Sequence, residues 1–287
     1  MRGEIMALLI GLIPALFWGI YPVWLKRLTG GNFLEQVLGT GTGIFLSSIV
    51  IELIFRMQIS PHDFILYFLS GFLWNIGQVG QCWSFMNLGV SAVMPVTTAF
   101  QVIGNSLVGA WLFGEWQGWQ DNLVGLVGLL VVLAGVFISN GMVQMKKSDL
   151  GVYAVLLLTS VGYWSYSGFT HFVTSTNGLA GFFPQAMGMF CGGLVAYMVG
   201  AKRLPVSDHF GLRNITAGIV FAVASSTYLV SLRMNGLVSA FVLTQLNVVI
   251  ATIVGAIVLH EKSGRQLIIT SIGLAILIAG VFIMVSV

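Results

Sequence analysis

GLLVVLAGVFI, at residues 128–138, returns as GLAILIAGVFI at residues 273–283, with seven of eleven positions identical and every mismatch between two apolar residues. The offset is 145. Upstream, LVGAWLFGE at 107–115 matches IVGAIVLHE at 253–261 with an offset of 146, and Trp18 has its counterpart in Trp164 at the same distance. Composition alone makes apolar helices resemble one another, which accounts for isolated Leu and Val matches. It does not account for three matched blocks at one nearly constant offset. The chain is therefore read as two copies of one unit, residues 1–145 and 146–287.

Each copy consists of apolar runs of membrane length. Runs between polar breaks fall at 5–25, 33–55, 64–87, 91–113, 121–143, 150–171, 179–200, 212–232, 237–259 and 266–286. A helix crosses about 30 Å of hydrocarbon with roughly 20 apolar residues, so ten crossings consume nearly the whole chain and leave short connections. Composition agrees: 57% of the 287 residues are hydrophobic and 7% are charged, too few to cover a soluble surface of this size. The first run is too long for a signal-peptide core and lacks a small-residue cleavage pattern, so it is read as a retained first helix. Five crossings per copy is an odd number, so the second copy enters the bilayer from the opposite side. The expected fold is an all-α membrane protein of ten transmembrane helices, arranged as two inverted five-helix repeats around a central cavity.

The charge pattern excludes some partners and orients the chain. A formal net charge of +3 comes from basic residues standing singly or in pairs, with no basic stripe, so nucleic acid is not an expected partner. Connections after the odd-numbered spans hold Lys26, Arg27, Lys146, Lys147, Lys202, Arg203, Arg213, Lys262 and Arg265; the other side holds Arg2, Arg56 and Arg233. Nine against three places the first set in the cytoplasm and both termini outside. Cys82 and Cys191 are too far apart for a CxxC motif or a metal cluster, and no cofactor or metal is expected.

Two stretches carry a family resemblance. GFLWNIGQVGQCWSFMNLGVSAVMPVTTAFQVIGNSLVGAWLFGEW, from Gly71, and NGLVSAFVLTQLNVVIATIVGAIVLHEK, from Asn235, resemble the bacterial glucose/ribose porter family of the drug/metabolite transporter superfamily. The most specific parts are GQVGQ at 77–81, VSAVMP at 90–95 with Gln101 beyond it, FGEW at 113–116 and TQLN at 244–247. The resemblance implies uptake of a monosaccharide such as glucose or ribose across a bacterial plasma or inner membrane. It also implies cytoplasmic termini, against the charge count, and both orientations stay open here. Thr98-Ala99-Phe100 departs from the family pattern, where a small residue and a glycine precede the glutamine.

A sugar entering a bilayer must exchange water for protein hydrogen bonds, and amides offer donors and acceptors together. Asn75, Gln78 and Gln81 share one face of the third span, and Thr97, Gln101 and Asn105 recur every four residues in the fourth. Ser225 in span eight and Thr244, Gln245 and Asn247 in span nine repeat the theme, with Gln101 and Asn247 separated by the repeat distance of 146. Trp18, Tyr21, Trp74, Trp164 and Tyr166 lie within spans, away from the interfacial belt expected for Trp111, Trp116 and Trp119. Each of these side chains equally suits helix packing, since interhelical amide bonds are common. Together they form the expected substrate-binding set.

The sequence bears on three function classes. A carrier for a neutral sugar, working by alternating access with or without proton coupling, fits an uncharged polar centre. Export of amino acids, metabolites or drugs by the same superfamily would ask for a compensating charge, and no Asp, Glu, Lys or Arg falls at mid-depth in the amide-bearing spans. A membrane enzyme is disfavoured: the four histidines are scattered near span ends, and neither HExxH nor GxSxG is present. Expected partners are the sugar, the lipid bilayer and, if transport is coupled, protons; the oligomeric state is not legible.

Overall fold

The computed structural model describes residues 2–114, 116, 118–139, 149–175, 177–200, 210–262 and 264–286. These residues form eleven α-helices and no strand: α1 (Arg2–Arg27), α2 (Phe33–Phe55), α3 (Pro61–Leu88), α4 (Val90–Leu107), α5 (Trp119–Ser139), α6 (Leu150–Thr159), α7 (Val161–His171), α8 (Phe182–Gly200), α9 (Phe210–Thr244), α10 (Leu246–Val258) and α11 (Arg265–Val285). A π-helical turn at Val108–Leu112 extends α4, and a 3-10 turn at Gly178–Gly181 leads into α8. Among the described residues, seven helices are long and apolar enough to cross a membrane. α3 is not among them despite its 28 residues, because Asn75, Gln78, Gln81 and Asn87 dilute its apolar character.

Helix ends follow local chemistry. Asn32 caps α2, its side chain accepting from Leu34 and Glu35 N–H while Glu35 reaches back to the Asn32 N–H. Ser60 caps α3 just before Pro61, whose missing N–H costs nothing in the first turn. Gly89 alone separates α3 from α4, at φ +84°. A side chain there would be strained by that backbone and would meet the Glu261 carboxylate. Pro184 sits in the first turn of α8, where its missing N–H breaks nothing.

Two expected boundaries differ. The sixth span is divided at Ser160 into α6 and α7. The expected break at 233–236 is absent, and helical backbone runs from Phe210 to Thr244. With α1 as a ruler, the chain nevertheless reverses inside this stretch. Asn214 donates to the Gly30 carbonyl at 3.1 Å, and the Tyr228 ring lies 5.4 Å from Trp18. Ile250 and the Asn247 backbone are then back at Gly19, and Glu261 meets Lys26. The boundary between 145 and 146, together with Glu115, Lys146, Lys147, Lys202, Arg203 and His209, lies outside the described residues.

The two matched sequence blocks lie on α5 and α11, which pack antiparallel through glycine. Gly135 abuts the Leu277 backbone nitrogen and Gly280 abuts that of Val132; Gly128 abuts Met284 and Gly273 abuts Ser139. Shifting residue numbers by 145 turns each contact into its partner with the roles exchanged. Lys262 closes one end of this pair, donating to the Ser139 carbonyl and to Thr270 Oγ1, both at 3.0 Å. Burial pushes its ammonium pKa down to about 8, against an opposing pull from Glu261.

Helix ends define two faces. Lys26, Gly89, Asn214 and Glu261 mark one, called the Lys26 face; Asp63, Phe113 and His171 mark the other, called the His171 face. On the latter, Asp63 accepts hydrogen bonds from Thr174 N–H at 3.0 Å, Ser175 N–H at 2.9 Å and the Thr174 hydroxyl. The Thr174 N–H is the largest influence holding this carboxyl down at about 2; burial opposes it, and His62, the Thr174 hydroxyl and the Ser175 N–H add to it.

Candidate functional site

A cavity of about 670 Å³ occupies the middle of the bundle, within the usual size range of small-molecule sites. It reaches the His171 face, where Thr170 and His171 are exposed, and stops toward the Lys26 face at Pro22, Phe85 and Met94, all buried. Among the described residues no Asp, Glu, Lys or Arg lines it. Its wall divides into an amide network and an aromatic cluster.

Tyr163 is the hub of the amide network. Its hydroxyl lies 3.1 Å from Gln78 Oε1 and 2.9 Å from Gln81 Oε1, a single donor shared between two carboxamides one helical turn apart. Gln78 Nε2 donates to Tyr21 Oη at 2.5 Å and contacts Cys82 Sγ at 3.3 Å; the Tyr21 hydroxyl pairs with Thr40 Oγ1 at 3.1 Å. Gln81 Nε2 donates to Thr97 Oγ1 at 3.3 Å, and Gln101 Nε2 reaches the same oxygen at 3.4 Å. Five helices are tied together by uncharged groups. Farther toward the His171 face, Tyr166 donates to Gln185 Oε1 at 3.3 Å, and Gln185 donates to Ser70 Oγ at 3.1 Å.

Phe221 is the hub of the aromatic cluster. Its ring lies 5.7 Å from Trp18, 5.1 Å from Tyr21 and 5.3 Å from Trp74, in the tilted and edge-on arrangements that aromatic quadrupoles prefer. Tyr228 adds a further ring beside Trp18. At the mouth, Phe113 and His171 stack at 3.9 Å with an interplanar angle of 8°.

Of the residues expected from sequence, Trp18, Tyr21, Trp74, Gln78, Gln81, Gln101, Asn105, Tyr166, Thr244, Gln245 and Asn247 line the cavity. Four do not. Asn75 turns into the α3–α8 contact, where Gly192 makes room and its amide donates to the Met189 carbonyl at 3.0 Å. Thr97 sits behind the wall as the acceptor for Gln81 and Gln101. Trp164 packs on Gly104 and donates to the Phe100 carbonyl at 2.9 Å. Ser225 is buried in α9, its hydroxyl without a hydrogen-bond partner among the described residues. Trp116, expected in a headgroup belt, is 8% exposed and lies in the wall against Gly125, whereas Trp111 and Trp119 are exposed as the belt requires.

Sequence reasoning missed Tyr163, Gln185, Phe221 and Tyr228. Tyr163 was the most accessible of these, since it directly precedes Trp164 and shares a span with Tyr166. Tyr228 directly follows the polar triplet Ser225, Ser226 and Thr227, whereas Phe221 stands among apolar residues with nothing to single it out.

On the Lys26 side the cavity floor is backed by a charged clamp. Glu261 accepts from Lys26 Nζ at 2.9 Å, from Val90 N–H at 2.9 Å and from Ser91 N–H at 2.7 Å, so one carboxylate binds the end of α1 and the start of α4. Standing at the end of the ninth apolar run, Glu261 reads in the sequence as a cap or as the partner of a cation such as Lys262; the cation found is Lys26. Burial pushes the Glu261 pKa up, but the Ser91 N–H, Lys26 and Val90 N–H outweigh it, and the carboxyl titrates below its ordinary value.

A crystal structure of a protein 17% identical superposes with a TM-score of 0.63 over 97% of this chain and 98% of that one, which shows a shared fold. A provisionally named sugar uptake protein of Lactobacillus helveticus is 34% identical, with 96% of this chain and 99% of that protein covered. Provisionally named ribose uptake proteins RbsU of Latilactobacillus sakei and Staphylococcus epidermidis are 36% and 35% identical, covering 95% and 98% of this chain and 96% and 99% of their own. The family model described as sugar transport protein matches residues 9–287. From apolar helices, an uncharged central cavity and this match, the chain is a multi-pass membrane protein that belongs to the sugar transport protein family.

Proposed function

We propose that this protein takes up a small neutral sugar of the glucose or ribose type by alternating access, through two inverted five-crossing repeats, residues 1–145 and 146–287. The observation that carries the reading is the wall of the 670 Å³ cavity: carboxamides, hydroxyls and aromatic rings, without Asp, Glu, Lys or Arg among the described residues. Neutral hydroxyls find partners there, whereas a cation or zwitterion would enter with its charge uncompensated. That argues against export of amino acids or cationic drugs. The relatives named for sugar and ribose uptake support the same substrate class.

The exchanged glycine contacts of α5 and α11 support the inverted arrangement, because a two-fold axis between the copies generates such reciprocal pairs. Gln101 and Asn247, one repeat distance apart, both face the cavity. In this state the path is open toward the His171 face and shut by Pro22, Phe85 and Met94, with the Glu261 clamp behind them. The described basic residues Lys26, Arg27, Arg213, Lys262 and Arg265 favour a cytoplasmic Lys26 face, which makes this the outward-open state.

The test is counterflow in proteoliposomes with a monosaccharide panel at two pH values. Accumulation of labelled glucose or ribose against unlabelled sugar is the expected result. Dependence on an imposed proton gradient would assign symport, with His171 as the histidine on the cavity wall. Failure to exchange any sugar, with exchange of an amino acid or cation instead, would overturn the reading.

A further inference from the structure

Trp18 and Trp164 are repeat mates, yet the structure treats them differently, and the reason lies on the helices facing them. Trp164 presses on Gly104, where any Cβ would overlap the indole. That glycine lets the ring tuck against α4, and its N–H is satisfied by the Phe100 carbonyl at 2.9 Å. One repeat distance along, the residue equivalent to Gly104 is Ile250. A β-branched side chain fills the space in which an indole would lie. The second copy is packed in the opposite sense: Gly19 supplies the missing volume, and α1 closes on the Ile250 side chain and the Asn247 backbone. Denied a bed on α10, Trp18 turns into the cavity beside Phe221 and Tyr228. Its indole nitrogen has no hydrogen-bond partner among the described residues.

We propose that Trp18, and not Trp164, is the aromatic platform on which the sugar ring lies, and that the Gly104/Ile250 difference assigns the two roles. This rests on the sugar-carrier reading and extends it to the form of the substrate. A flat indole backed by other rings rewards a rigid apolar face, such as the C–H face of a closed monosaccharide ring. An open-chain alditol carries the same kind of hydroxyls but presents no fixed face. The site selects cyclic sugars over their alditols, and Trp18 supplies that selection.

The experiment measures binding of D-glucose, D-ribose, sorbitol and ribitol to the purified full chain, as wild type, W18L and W164L, with thermal unfolding of the same samples. Wild type is expected to prefer the cyclic sugars. Below its melting temperature Trp18→Leu weakens cyclic-sugar binding about tenfold, and selectivity over the alditol disappears. Trp164→Leu lowers the melting temperature and, below it, leaves binding within about twofold. Trp18→Tyr, which keeps a ring beside Phe221, binds more tightly than W18L and guards against loss of fold. Unchanged cyclic-sugar affinity in W18L, or loss of affinity in W164L at unchanged melting temperature, overturns the platform and leaves the carrier standing. No binding of either sugar by wild type overturns the carrier reading itself, and the platform with it.

Discussion

Lys26, in the last turn of α1, and Glu261, beyond α10, form a 2.9 Å ion pair although 235 residues separate them. The same carboxylate accepts from the first two N–H groups of α4, which are free of intrahelical partners and sit at the positive end of the helix dipole. A single side chain thereby holds three segments across the closed end of the cavity. Glu261→Gln keeps the shape and removes the charge, weakening these bonds by roughly 1 kcal/mol after solvent screening. In a Cys191→Ser background Cys82 is the remaining thiol, fully buried beside Gln78. Its labelling by a small thiol reagent is expected to accelerate about fivefold in E261Q. An unchanged rate would show that the clamp does not govern opening of this face.

Tyr163 gives a second prediction. Removal of its hydroxyl leaves the Gln78 and Gln81 carbonyl oxygens without their common donor in a buried setting, at about 1–3 kcal/mol for an unmade bond. Tyr163→Phe is expected to lower the melting temperature by several degrees and to reduce sugar counterflow by more than about tenfold, since both glutamines lose their orientation. Transport by the Tyr163→Phe variant at the wild-type rate would mean that the network serves packing alone.

Asp63 controls acid stability on the opposite face. Its carboxyl titrates at about 2 in the folded protein against an ordinary value of 3.8, so the unfolded chain takes up the proton first as pH falls. The contribution of its Thr174 and Ser175 bonds is complete above about pH 4 and disappears toward pH 2. Thermal unfolding in detergent should therefore show wild type losing stability through this window more steeply than Asp63→Asn, which cannot ionise. Parallel curves would assign the acid sensitivity to other groups.

These three sites were legible to different degrees. Gln78, Gln81 and Gln101 could be found because helical spacing places them on faces, and one face of α3 does meet the cavity. Asn75 shares much of that face and yet belongs to the α8 contact: whether an amide meets a void or a neighbour depends on where glycines such as Gly192 admit the next helix. Tyr163 meets Gln78 only because Gly77 leaves room for its ring across two helices. The closed end was half visible, as Glu261 reads as a cap, but its cation comes from the far end of the sequence. Periodicity marks faces within one helix; the pairing of faces is set by long-range packing, which no local pattern encodes.

The α5–α11 contact supplies the last prediction, and it tests the repeat itself. Gly135 against the Leu277 nitrogen and Gly280 against the Val132 nitrogen are one contact written twice if a two-fold axis relates the copies. Each glycine faces backbone, which cannot rotate aside as a side chain can, so an added methyl must push the helices apart. Gly135→Ala and Gly280→Ala are each expected to destabilise by about 1–3 kcal/mol, and by similar amounts. Once the first methyl has separated the helices, the second has less to disturb, so the double variant should cost less than the sum. Gly151→Ala is the control: nothing lies within 4 Å of its added methyl, and alanine's better helix propensity makes it neutral or stabilising by up to about 1 kcal/mol. Unequal single effects with full additivity would place Gly135 and Gly280 in unrelated environments and remove the packing support for inverted repeats.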